Sequence, residues 1–146
     1  MIRKILLGAM FGFLTLGVSS QVFAQVDKRQ ALMKNNSATA KAINAAVADK
    51  DYATIEAKAR DIMGNADKIV GFFPKGSDTG KTKATPAIWE KSDDFAKYAK
   101  TLNKNASELA AAAKAGNDAD IGVKVKAMGE TCNSCHKEFR AAKYAE

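Results

Sequence analysis

Cysteine, histidine and proline are scarce in this chain, at two, one and two in 146 residues. Runs of β-branched residues are missing as well. That argues against strands and, with 26 alanines in residues 25–146, for helices. The two prolines, Pro74 and Pro86, stand twelve apart and leave long proline-free segments on either side. Three Cys and His residues in total cannot furnish a four-ligand structural zinc centre. A lone histidine also leaves no second one for distal acid–base work of the peroxidase kind. No low-complexity stretch occurs, and no repeat beyond the helical period. The remainder is ordinary for one folded domain, with 47% hydrophobic and 27% charged residues and a formal charge of +7.

Residues 1–24 have the layout of a secretory leader. Arg3 and Lys4 precede an uncharged apolar run over residues 5–18, and Val22-Phe23-Ala24 supplies a small-x-small cleavage site. Fourteen apolar residues fall short of the ~20 that span a bilayer as a helix. The expectation is cleavage after Ala24 and export to the periplasm, leaving residues 25–146 as a single domain of 122 residues with charge +5.

Apolar spacing divides that domain into four helical segments. The first carries Met33, Asn36, Ala40, Ile43 and Val47, and closes at Asp49-Lys50-Asp51, where Asp51 suits the cap of the next helix. The second carries Ile55, Ala59, Ile62, Ala66, Ile69 and Phe73. Two glycines, two prolines and a Ser-Asp pair make residues 73–86 a long loop. Pro86 then suits the first turn of a third helix bearing Phe95, Ala99, Leu102, Ala106, Leu109 and Ala113, which ends at Gly116-Asn117. The fourth starts near Asp118 and carries Ile121, Val125, Met128, Cys132, Cys135 and Phe139. Narrow stripes joined by short connections predict an all-α, antiparallel up-down four-helix bundle.

Both cysteines and the histidine fall within five residues, Cys132-Asn133-Ser134-Cys135-His136. C-x-x-C-H is the attachment pattern of c-type haem. Two thiols one helical turn apart can each add to a vinyl group on one porphyrin edge, and the following imidazole can reach the iron as proximal ligand. A thioredoxin-like dithiol fits less well, since it wants a βαβ context and a cysteine at a helix N-terminus.

The chain from residue 25 onward resembles the class II c-type cytochromes typified by cytochrome c′. The resemblance rests on Arg29-Gln30-Ala31-Leu32-Met33-Lys34, Phe73-Pro74-Lys75-Gly76-Ser77, Pro86-Ala87-Ile88-Trp89 and the run from Cys132 to Arg140. It implies one covalently attached haem c on a bundle of this kind. It also implies a distal position for Met33, four residues after Arg29. Cytochrome c′ itself usually has an apolar cover there, whereas some low-spin relatives have a methionine that binds the iron. Met33 is therefore either the sixth ligand or a flexible core filler.

By the same resemblance Arg29 lies near a haem propionate, with Gln30 in the same region, and Arg140 lies by the proximal side. The bland alternative for Arg29 is a solvated cation. Met63, Met128, Phe73, Trp89 and Phe95 read as core, with Phe73 also a candidate wall of the distal pocket. Gly122 and Gly129 either are tolerated variation or admit the haem or a neighbouring helix.

The function expected is single-electron transfer through Fe(III)/Fe(II), without catalysis. The alternative is a five-coordinate haem that binds NO or CO. Expected partners are redox proteins with acidic surfaces, attracted by scattered lysines, and not nucleic acid. The resemblance adds homodimerisation through the first two helices as an option.

Overall fold

The computed structural model describes residues 17–78 and 81–141. Residues 1–16, which hold the charged start and most of the apolar run of the expected leader, lie outside them. Helices α1 (Gly17–Ala48), α2 (Tyr52–Ile69), α3 (Ala87–Glu90), α4 (Ser92–Lys114) and α5 (Asp118–Phe139) follow in order, and a 3-10 turn, Val70–Phe72, extends α2. The described residues contain no strand, only an isolated antiparallel bridge between Ala84 and Arg140. No described helix is long and apolar enough to cross a membrane.

The connections follow from local chemistry. Lys50 takes φ 55° at the end of α1, and the amides of Lys50 and Asp51 turn back to the carbonyls of Val47 and Ala46. That closes two of the helix's orphan acceptors. Asp51 then caps α2, its Oδ1 accepting from the Thr54 amide at 3.0 Å. Gly116, at φ 65°, ends α4 by the same device, with Gly116 and Asn117 amides bonded to Ala113 and Ala112. Asn117 caps α5 through the Asp120 amide. Each connector is three residues long, so α1 and α2 run antiparallel, as do α4 and α5.

Four long helices make the bundle, and all the expected stripe residues of α4 are buried. The same holds for Ile55, Ala59, Ile62, Ala66 and Ile69 of α2. These two helices share the most extensive interface, and α4 with α5 and α1 with α2 complete three packed sides. Each fully buried Ile, Leu or Phe there contributes about 1.5–3 kcal/mol. An asparagine fastens each side as well. Asn65 donates to Asn35 and Asn36 across α1–α2, Asn103 to Asp67 and the Met63 carbonyl across α2–α4, and Asn105 to Thr131 and the Ala127 carbonyl across α4–α5.

Two expectations need correction. The third helix does not run unbroken from Pro86. The chain makes a single turn, Ala87–Glu90, departs from helical geometry at Lys91 (φ −119°, ψ 50°) and restarts at Ser92. Asp93 and Asp94 in the new first turn complement the positive end of the restarted helix. In α1 the buried line is Val26, Arg29, Leu32, Thr39, Ile43 and Ala46, while Met33, Asn36, Ala40 and Val47 are only half-buried. Counting apolar residues misses this line because two of its members are polar.

Candidate haem site

The fourth side of the bundle, between α1 and α5, is barely closed by direct packing. At its far end Asp118 of α5 accepts from Lys50 Nζ at 2.6 Å and from the Tyr52 hydroxyl at 2.8 Å. At its near end stand the residues singled out by sequence. Cys132 and Cys135 of α5 are free, half-buried and packed against the core, and Met33 of α1 is half-buried against the same core. His136 is also half-buried.

Burial raises the pKa of both thiols, and the neighbouring Cys132 and Glu138 add to the effect at Cys135, which is pushed up to about 12. Reactive dithiols work through lowered thiol pKa values. A redox dithiol is therefore disfavoured by the electrostatics of the site as well as by its helical context. His136 is shifted down, first by burial and then by the Arg140 guanidinium, which favours the neutral, ligating imidazole. Among the described residues no three His, Cys, Asp or Glu side chains converge on a point that would hold a metal ion by protein ligands alone. Two thiols one turn apart, an adjacent neutral imidazole and a helix edge left unsealed fit a haem c.

Arg29 is not a solvated cation. It is 3% exposed and donates from Nη1 to Ser77 Oγ at 2.9 Å and from Nη2 to the Ser77 carbonyl at 2.7 Å, with Thr82 Oγ1 as a third acceptor. Its guanidinium also lies 4.7 Å from the Phe73 ring centroid. Burial lowers its pKa, and Asp78 partly offsets that. A guanidinium carries five N–H groups, so these three bonds leave two for another acceptor such as a propionate. Gln30 is exposed and donates to the Lys81 carbonyl at 2.8 Å.

Sequence reasoning missed Ser77 and Thr82, the acceptors that hold Arg29. Ser77 is wholly buried inside what reads as a polar loop, and no local pattern signals a partner 48 residues away. Phe73 packs edge-on to Phe95 at 4.9 Å, and Phe95 edge-on to Phe139 at 5.2 Å, so these rings are core. Met128 is core too, and Trp89 anchors its indole N–H on the carbonyls of Phe73 and Pro74. A Cβ on Gly122 or Gly129 would meet nothing within 4 Å, which removes close approach of a neighbouring helix as their reason. A polar groove of about 550 Å³ between α4 and α5, lined by residues such as Tyr98, Asn105, Thr131 and Glu138, contains none of the Cys-His set.

A bundle with such a donor set defines a class, the c-type haem proteins of helical architecture. Comparison with known proteins makes the class narrower. The family model for cytochrome c′ matches residues 24–140. Cytochrome c-556 of Agrobacterium fabrum is 32% identical over 147 residues, 97% of each chain. Cytochrome c′ of Rhodospirillum rubrum is 40% identical over 84 residues, and the match spans 57% of either chain. The crystal structure of cytochrome c′ from Thermochromatium tepidum superposes with a TM-score of 0.75 at 26% identity, covering 82% of this chain and 96% of that one. The chain belongs to the cytochrome c′ family and carries covalently bound haem c.

Proposed function

We propose that this protein is an exported single-electron carrier whose haem c would be held by Cys132 and Cys135, with His136 and Met33 as the side chains that would bind its iron. Bound there, the haem supplies an Fe(III)/Fe(II) couple. The observation that carries the reading is the position of Met33, half-buried against the core on the helix that forms the other wall of the open α1–α5 side. A thioether at that place excludes exogenous ligands and favours a raised potential. Arg29, held by Ser77 and Thr82, keeps two donors for a propionate. No second histidine is present to serve as a distal acid–base group, so the reading is a carrier and not a catalyst. Scattered lysines suit acidic redox partners, and cleavage after Ala24 would deliver the chain to the periplasm. Self-association through α1 and α2 is checked by sedimentation.

The test is the absorption spectrum of the oxidised and reduced holoprotein, with and without CO, for the wild type and Met33→Ala. The wild type is expected to be low-spin and indifferent to CO, and the variant high-spin and CO-binding. A high-spin, CO-responsive wild type overturns Met33 ligation and assigns the protein to NO or CO binding, with Met33 as a cover.

A further inference from the structure

The helices leave the α1–α5 side nearly unsealed, yet five residues outside the long helices span it. Segment 81–85 is held to α1 at one end, where the Lys81 carbonyl accepts from Gln30 and the Thr82 hydroxyl accepts from Arg29. At the other end it pairs with the end of α5. The Thr85 amide donates to the Phe139 carbonyl at 3.1 Å, the Ala141 amide donates to the Lys83 carbonyl at 3.0 Å, and Ala84 and Arg140 form the bridge between these bonds. The Thr82 hydroxyl also accepts from the Ala84 amide at 3.1 Å, so one oxygen couples the grip on α1 to the backbone that pairs with α5.

The attachment points lie just beyond the candidate haem residues, at the same end of both helices. Arg29 lies one helical turn from Met33 on α1, and Phe139 and Arg140 lie within a turn of His136 on α5. The Lys50–Asp118 pair fastens the same two helices at their opposite ends. The described contacts that join α1 to α5 at this end are backbone pairing and the side-chain bonds of Arg29 and Gln30, with little interdigitation of side chains.

We propose that segment 81–85 is a tie that sets the spacing of α1 and α5, and that Thr82 is a positioning residue controlling the entry of small diatomic ligands at the Met33 face. The proposal rests on the assignment of the haem to Cys132, Cys135 and His136. A hydrogen bond from a charged donor is worth about tenfold or more in an equilibrium. Losing it at Thr82 leaves the exposed Gln30–Lys81 bond as the segment's remaining side-chain bond to α1 and loosens α1 at that end, while the three packed sides of the bundle stay intact.

The experiment compares wild type, Thr82→Val and Thr82→Ser as holoproteins. Valine keeps the shape and removes the acceptor, whereas serine keeps the acceptor. Two quantities are measured, the CO association rate of the reduced protein and the hydrogen exchange of α1 amides around residues 26–36. Thr82→Val is expected to bind CO about tenfold faster, or to gain CO binding where the wild type has none, and to exchange faster in α1 but not in α2 or α4. Thr82→Ser is expected to return both quantities to within about twofold of the wild type. A Thr82→Val protein with unchanged CO behaviour overturns the proposal, whatever its exchange pattern. Peptide mass analysis of the same samples separates the two failures. Haem found on the peptide bearing Cys132 and Cys135 leaves the site assignment standing and the tie refuted, and haem absent from that peptide overturns both.

Discussion

Replacing Arg29 by methionine tests how much its buried hydrogen bonds contribute to the fold. Methionine retains most of the side-chain length and can lie on the Phe73 ring through its sulfur, which replaces much of the cation–π contact. What it cannot replace is the set of three donated bonds. The Ser77 oxygens lie on a residue with no exposed surface, and among the described residues the Ser77 carbonyl accepts no other bond. Leaving that acceptor unpaired costs about 2 kcal/mol.

The two hydroxyls fare better. Ser77 Oγ still donates to the Pro74 carbonyl at 2.7 Å and Thr82 Oγ1 still accepts from the Ala84 amide, so together they lose about 2 kcal/mol. Sparing a partly desolvated cation returns about 1 kcal/mol. The net is a destabilisation of about 3 kcal/mol, or a fall of about 10 °C in the melting temperature for a domain of this size. Thermal melts of the holoprotein followed by far-UV circular dichroism measure it. Lysine at this position should recover only part, because one ammonium does not span three acceptors. A Met variant melting within about 3 °C of the wild type would refute the argument, as would an equal loss on replacing its exposed neighbour Lys28 by alanine.

Replacing Cys132 and Cys135 together by serine is expected to abolish covalent attachment, so that acidified organic solvent extracts the haem from the variant and not from the wild type. The Asp118 carboxyl is held below its ordinary 3.8, first by hydrogen bonds from Lys50 and Tyr52. Its stabilising effect is present above 3.8 and lost as pH falls through the lower, folded-state value. Asp118→Asn should therefore remove part of the acid limb of the stability curve and leave the neutral region flat. Lys50, which pairs with Asp118, stands in left-handed backbone where α1 ends. Lys50→Gly should melt above the wild type at about 1 M salt, where exposed pairs are screened, and lose that advantage at low ionic strength.

Much of the architecture was readable from spacing because it is local. The stripes of α2 and α4 bury as their 3-4 periods require, and Asp51 caps as its position beside Thr54 predicts. The Cys-x-x-Cys-His pattern was readable for a related reason, since thioether chemistry needs both thiols within one turn. Arg29, Thr39, Ser77 and Thr131 were not readable as buried. The acceptors that make the burial of Arg29 tolerable lie about 50 residues along the chain, and Thr131 accepts from Asn105 on the neighbouring helix. The break at Lys91 escaped as well. The apolar period carries straight on through Phe95, and only the phase of the acidic pair Asp93-Asp94 hints at a new helix start.

The side of the bundle that carries the candidate haem residues contributes least to holding the bundle together. Stability resides in α2 against α4 and in the two sides flanking that pair, each pinned by an asparagine. The residues proposed to hold the haem stand where α1 faces α5. With Met33 as a ligand, as proposed, a protein divided in this way can exchange that side chain for another without repacking its core. Such a fold is well suited to diversify by single steps, and a substitution at position 33 would then be registered first in the iron's spectrum and only weakly in the melting curve.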